Sequence, residues 1–174
     1  MKTLRHILSI LLLPGVVTIL VPLWIVRGTG VLRVGWGLPP PVSLVPTISG
    51  CVLGGGGLLL MYRTISLFAG FGDGTLAPWD PPRRLVVRGV YRRVRNPMLS
   101  GVFLLLLGEA LLLCSPPILF WFFAAFAVNA LYIPLVEEPD LSRRFGEEYL
   151  AYKHNVPRWV PRLRPWTGEP GPHP

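Results

Sequence analysis

Two consecutive acids, Glu137-Glu138, close an apolar stretch, and an arginine-crowded segment running from Arg83 to Arg95 opens another. Carboxylates in such a place accept hydrogen bonds from hydroxyl or amino groups and favour a sulfonium or ammonium ligand electrostatically. The same two acids would also serve simply to end an apolar helix in water. Arg95-Asn96-Pro97 reads as the point where a loop enters a helix. Pro97 suits the first helical turn, and Asn96 either caps backbone amides or is left to contact a ligand. Glu109 lies inside an apolar span, where an ionisable group is protonated, bonded to a neighbouring helix or turned to a polar cavity. His6, His154 and His173 are scattered without ligand spacing, so no metal site is expected. Cys51 and Cys114 sit in apolar segments and are too few for a disulfide framework.

The elements that must position these groups are apolar. The chain has 174 residues, a mean hydropathy of +0.51 and only 15% charged residues, outside the usual range of soluble domains. Four apolar segments stand at about residues 7–26, 42–62, 99–115 and 117–136, each near the roughly 17–25 residues that a helix needs to cross a bilayer. The third is the shortest, and the second can run on towards Ala69 as a cytosolic helix. Lys2 and Arg5 precede the first segment as in a secretory signal, but the run carries no small-x-small cleavage site, so a retained helix is favoured. The expectation is an all-α, polytopic membrane protein of about four transmembrane helices, ending in a helical hairpin and a cytosolic C-terminal helix. A single domain is expected over 1–174. It comprises two N-terminal spans (1–69), a loop, hairpin and C-terminal helix (70–166) and a disordered tail (167–174).

Glycine and proline punctuate this plan. Pro39-Pro40-Pro41 interrupts the first outer connection, and the Gly/Pro-dense stretch 70–84 reads as an inner loop. Glycines at 50, 54, 55, 56 and 57 in the second span predict close helix packing, because they lack the strand–turn–helix setting of a phosphate cradle. Ser115-Pro116-Pro117 predicts a tight turn, which makes the third and fourth spans antiparallel neighbours and brings Asn96-Pro97 beside Glu137-Glu138.

The net charge of +8 belongs to topology. With four spans and the N-terminus inside, 15 of the 17 basic residues fall on the inner side and only Arg27 and Arg33 outside. Both termini are then cytosolic, and the basic surface attracts anionic headgroups rather than nucleic acid. Trp159 and Trp166, interleaved with arginine and proline, suit the headgroup layer.

Gly89-x-Tyr91, Arg95-Asn96-Pro97-Met98, the apolar hairpin, Glu137-Glu138, Phe145-Gly146-x-x-Tyr149, Tyr152 and Val156-Pro157-Arg158 together resemble the isoprenylcysteine carboxyl methyltransferase and phospholipid methyltransferase superfamily. The resemblance covers roughly 70–166. It implies an integral-membrane methyltransferase whose cofactor is S-adenosyl-L-methionine. Cofactor contacts would come from Leu85, Val86, Tyr91, Asn96, Pro97, Met98, Leu99 and Glu137, with Arg95 and Glu138 as catalytic candidates. The partner it implies is a lipid or small lipophilic acceptor entering between helices, and the reaction is direct in-line methyl transfer. The membrane would be a bacterial inner membrane, or endoplasmic reticulum in a eukaryote.

Two departures from the family pattern stand out. Arg95-Asn96-Pro97-Met98-Leu99 replaces the common Arg-His-Pro-x-Tyr, which removes a phenol at Leu99. Ile133 stands where prenylcysteine enzymes resemble one another in an arginine facing the substrate carboxylate, which shifts the expected acceptor towards a neutral group or an amine. No dedicated base is identifiable. Two other readings remain: a sterol-reductase-like membrane enzyme using NADPH, whose 2′-phosphate would suit the arginine-rich loop, and a non-enzymatic scaffold or carrier.

Overall fold

The computed structural model describes residues 11–30, 36, 38–71 and 85–168, with no side chains at 11–13 and 68–71. Lys2, Arg5, Arg33, the loop 72–84 with Arg83 and Arg84, and tail residues 169–174 lie outside the described residues. Among the described residues all regular structure is helical. Helix α1 is wound as a π-helix over Leu11–Leu20 and as an α-helix over Val21–Thr29. Then follow α2 (Leu44–Phe71), a 3₁₀ turn (Gly89–Arg92), α3 (Pro97–Leu112), α4 (Pro116–Tyr132), a π-turn (Ile133–Glu137) and α5 (Glu138–Asn155).

Two continuous helical stretches, Leu44–Leu67 and Pro116–Asn155, are long and apolar enough to cross a membrane; Pro14–Thr29 and Pro97–Leu112 are apolar but shorter. The second stretch is apolar only as far as Val136 and charged beyond it. Val52 is 67% exposed and Leu135 71%, in company with Val45, Leu58, Leu131 and other large apolar side chains. So much outward apolar surface is stable against lipid tails, not against water. Helix α2, with 28 residues, is about 42 Å long, more than the roughly 30 Å of hydrocarbon. Near its C-terminal end Leu67 packs over Gly89.

Where both partners sit among lipid tails, association rests on close packing. The α2–α3 seam supplies it through opposed glycines. A Cβ on Gly57 would lie 2.6 Å from the Gly101 carbonyl oxygen, and one on Gly108 would lie 2.6 Å from the Gly54 backbone nitrogen. Gly55 and Gly56 face open space, so the glycine run packs through only part of its length.

The turn joining α3 to α4 is built as tightly as its sequence predicts. Cys114 occupies the left-handed region (φ 48) just past the helix end, and the Ser115 amide donates to the Ala110 carbonyl at 3.1 Å. This is the Schellman closure, normally built with glycine. The Ser115 hydroxyl then accepts from the Ile118 amide, capping α4, and Pro116-Pro117 fill the first turn.

Two apolar clusters result. Met61, Val102, Phe103 and Leu106 form one between the spanning helices. Val87, Tyr149, Tyr152 and Val156 form the other beneath it, with Leu85, Phe145 and Trp166 packed around them. Gly146 (φ 52, ψ −133) breaks α5 in a conformation closed to residues with a Cβ, and the bend keeps both Phe145 and Tyr149 in the second cluster. The tail tryptophans, expected to suit the headgroup layer, each pack on one side against aromatic rings of the molecule. The Trp159 ring packs 5.3 Å from Phe103 and 5.7 Å from Phe126, and Trp166 lies 6.0 Å from Tyr152. Aromatic pairing inside the molecule holds the tail against the bundle.

Candidate functional site

A cavity of about 470 Å³ opens where α1, α3 and α4 meet the loop before α3. Its walls are apolar: Val17 from α1, Val102 and Phe103 from α3, Trp121, Ala125 and Val128 from α4. Its polar groups gather at the foot, where Tyr91, Asn96 and Glu137 converge, while Asn129 and Tyr132 continue the polar line up α4. Trp121 fixes one wall, its indole N–H donating to the Val17 carbonyl at 3.0 Å.

Pro134 explains how Glu137 reaches this foot. Lacking an N–H, Pro134 cannot continue the regular ladder, and the helix widens into a π-turn closed by the Glu138 amide on the Ile133 carbonyl. In a regular helix, five residues would carry Glu137 about 140° around from Tyr132. The wider turn keeps both on the cavity.

Glu138, one residue on, turns away from the cavity into a cluster of cations. Its Oε1 accepts from Arg95 Nη1 and Arg158 Nε, both at 2.8 Å, and its Oε2 lies 2.8 Å from Lys153 Nζ, while the side chain is 2% exposed. Burial on its own would raise this carboxyl. Hydrogen bonds from Arg158 and Lys153 and the charge of Arg95 outweigh it and hold the pKa at about 2. Glu137 moves the other way, raised by burial first and by the Glu138 charge second, against the pull of Arg95 and Arg158. Burial likewise raises the Tyr91 phenol, helped by Tyr152 and Glu137, so it stays protonated.

Of the residues expected to hold a cofactor, Tyr91, Asn96, Met98, Leu99 and Glu137 share the cavity. Leu85 packs in the lower apolar cluster, Pro97 is buried at the start of α3, and neither Leu85, Val86 nor Pro97 forms a wall. Asn96 sits at the N-cap but makes no side-chain cap bond, so its amide is not spent on the helix start. Arg95 does not line the cavity; its guanidinium bonds to the Val156 carbonyl, Glu138 and Tyr149. Sequence reasoning missed Val17, Trp121, Asn129 and Tyr132. The α4 members had a signal: residues 121, 125, 128, 129 and 132 recur at helical spacing and carry the polar groups of an otherwise apolar span.

The fold and site define an apolar helical bundle, with helices long enough to cross a membrane and a cavity closed by an acidic, aromatic foot. The model of the phospholipid methyltransferase family matches residues 45–148, more than half of the chain, and the chain belongs to that family. It is 34% identical over 84 residues to protein-S-isoprenylcysteine O-methyltransferase B of Arabidopsis thaliana, covering 45% of this chain and 40% of that protein. To the human protein-S-isoprenylcysteine O-methyltransferase it is 35% identical over 82 residues, covering 46% and 28%. To phosphatidylethanolamine N-methyltransferase of Phaeosphaeria nodorum it is 32% identical over 124 residues, covering 66% and 13%. The chain thus spans less than half the length of these curated relatives.

Proposed function

We propose that this chain is an integral-membrane, S-adenosylmethionine-dependent methyltransferase acting on a lipid or small lipophilic acceptor. The observation that carries the reading is the convergence of Tyr91, Asn96 and Glu137 on the foot of one apolar cavity, within a chain of this family. The residues suit the cofactor. The Tyr91 ring and Met98 offer an apolar wall for a nucleobase, the Asn96 amide offers donor and acceptor, and Glu137 can accept from ribose hydroxyls or an amino group. When bound, the cofactor supplies a methyl group on a sulfonium for direct in-line transfer. Proximity and alignment are the protein's main contribution, which accounts for up to roughly 7–11 kcal/mol in well-oriented systems.

Among the described residues, the cavity lining includes no lysine, arginine or histidine, and Glu137 is its one carboxylate. An acceptor carboxylate would find no countercharge there, whereas a neutral group or an amine enters without that penalty. Ile133, buried where prenylcysteine enzymes are expected to carry an arginine, supports the same preference. The topology that goes with this reading has four spans, with the short helices α1 and α3 locally thinning the bilayer to cross it. Both termini and the foot face the cytosol.

Calorimetry with S-adenosylhomocysteine on the detergent-purified chain tests the reading. Micromolar binding is expected. Replacing Glu137 by Ala should weaken it roughly 10- to 100-fold, the range for losing hydrogen bonds to a charged group. Folded, ligand-free protein that does not bind would refute the assignment.

A further inference from the structure

Glu138 combines near-complete burial with three cations at hydrogen-bond distance, an arrangement stronger than the ending of a helix requires. The cations come from three segments: Arg95 from the loop before α3, Lys153 from α5 and Arg158 from the tail. The same segments are laced through their backbones. The Arg95 amide donates to the Pro157 carbonyl at 2.8 Å, and the Asn96 amide to the Arg158 carbonyl at 3.3 Å. The Tyr152 hydroxyl donates to the Tyr91 carbonyl at 2.8 Å, and the Ser100 hydroxyl to the Trp159 carbonyl at 3.0 Å. Among the described residues none beyond Glu137 lines the cavity, yet the main chain carrying Tyr91 and Asn96 is held from behind by residues 138–159.

We propose that Glu138 is a positioning residue: through Arg95 and Arg158 it fixes where Tyr91 and Asn96 stand relative to Glu137, and so makes the tail part of the cofactor site. The assignment rests on the cofactor reading above and separates the two adjacent acids by role. Glu137 meets the ligand, and Glu138 meets only the protein. Without the Glu138 carboxylate, Arg95, whose side chain is 10% exposed, keeps a buried charge that has lost its ion-pair partner. The loop must then shift to bring that charge towards water, and the Asn96 turn shifts with it. A binding constellation must be held within about 0.5 Å of its working geometry, so this shift weakens binding.

The test is calorimetric titration of the detergent-purified full chain with S-adenosylhomocysteine, comparing wild type with Glu138→Gln, Glu138→Asp and Asp140→Asn. Asp140 lies on the same helix and, among the described residues, pairs with exposed Arg143 and Arg144 at 3.8 and 3.7 Å, so Asp140→Asn controls for the lost charge. The stoichiometry reports the folded fraction and Kd the geometry of the site. A residue that served stability alone would lower the stoichiometry and leave Kd unchanged. The expected result is a Kd raised at least about tenfold in Glu138→Gln at full stoichiometry, with partial recovery in Glu138→Asp and no change in Asp140→Asn. If Glu138→Gln does not fold, Arg158→Gln, which removes one contact of the three, carries the decision by the same Kd. An unchanged Kd in the variant that decides, beside a wild type that binds, overturns the positioning role alone. A wild type that does not bind overturns the cofactor reading and this assignment together.

Discussion

Glu137 and Glu138 share a side-chain type and adjacent places in the chain, yet their surroundings push their ionisation in opposite directions. The sign for Glu138 follows from linkage. Its folded pKa of about 2 is below the ordinary carboxylate value, so its contribution to stability is complete above about pH 4.5. That contribution is lost progressively as pH falls towards 2. The gap in melting temperature between wild type and Glu138→Gln in detergent is therefore expected to be constant from pH 7 to 5 and to narrow below about 4.5. Glu138→Gln, already lower at neutral pH, should drop less steeply over the same range. Parallel pH profiles of the two proteins would contradict the ion cluster as drawn. The difference between the acids was not readable beforehand, because it depends on Pro134 widening one turn by a single residue. Helical periodicity has no register for such a step.

Among the elements, the α2–α3 seam and the α3–α4 turn make opposite demands on small residues. Gly57→Ala and Gly108→Ala each place a methyl against backbone and should destabilise the fold by about 1–3 kcal/mol. Gly55→Ala and Gly56→Ala meet open space inside a helix and should be neutral or stabilising by up to about 1 kcal/mol. Thermal unfolding of the four variants checks the contrast, and equal effects would contradict the seam. At the turn, Cys114→Gly should relieve about 1 kcal/mol of left-handed strain, while Ser115→Ala should cost about 1 kcal/mol by removing the α4 cap. Glycine packing was legible from the run at 54–57, and the tight turn from Ser115-Pro116-Pro117. The helical repeat sorts the glycines: Gly50, Gly54 and Gly57, at i, i+4 and i+7, meet the helix carrying Gly101 and Gly108, while Gly55 and Gly56 fall off that face.

At the scale of the whole molecule, the convergence of the two charged feet was legible because one short turn fixes the partnership of α3 and α4. The part played by α1 was not, since Pro14 and Val17 look like any apolar residues until the fold sets them against Trp121. Four spans with both termini inside predict a labelling pattern. With Cys51 and Cys114 replaced by Ser, a cysteine introduced by Gly28→Cys should react with an impermeant maleimide added to intact cells. One introduced by Glu147→Cys should react only after the membrane is opened. The reverse pattern would invert the topology, and reaction of both in intact cells would remove a span.

The lacing of residues 92–96 to 157–166 also has a consequence in time. A chain emerging from the ribosome presents its first helices for insertion before Arg158 and Trp166 exist, at a pace of about 5–20 residues per second. The spans can be seated in lipid while the foot beneath them is still open, and the cavity acquires its finished floor only when residues 157–166 join it. A nascent chain arrested before Val156 should accordingly be membrane-integrated and ligand-incompetent, so that insertion and maturation are two events in the life of each molecule.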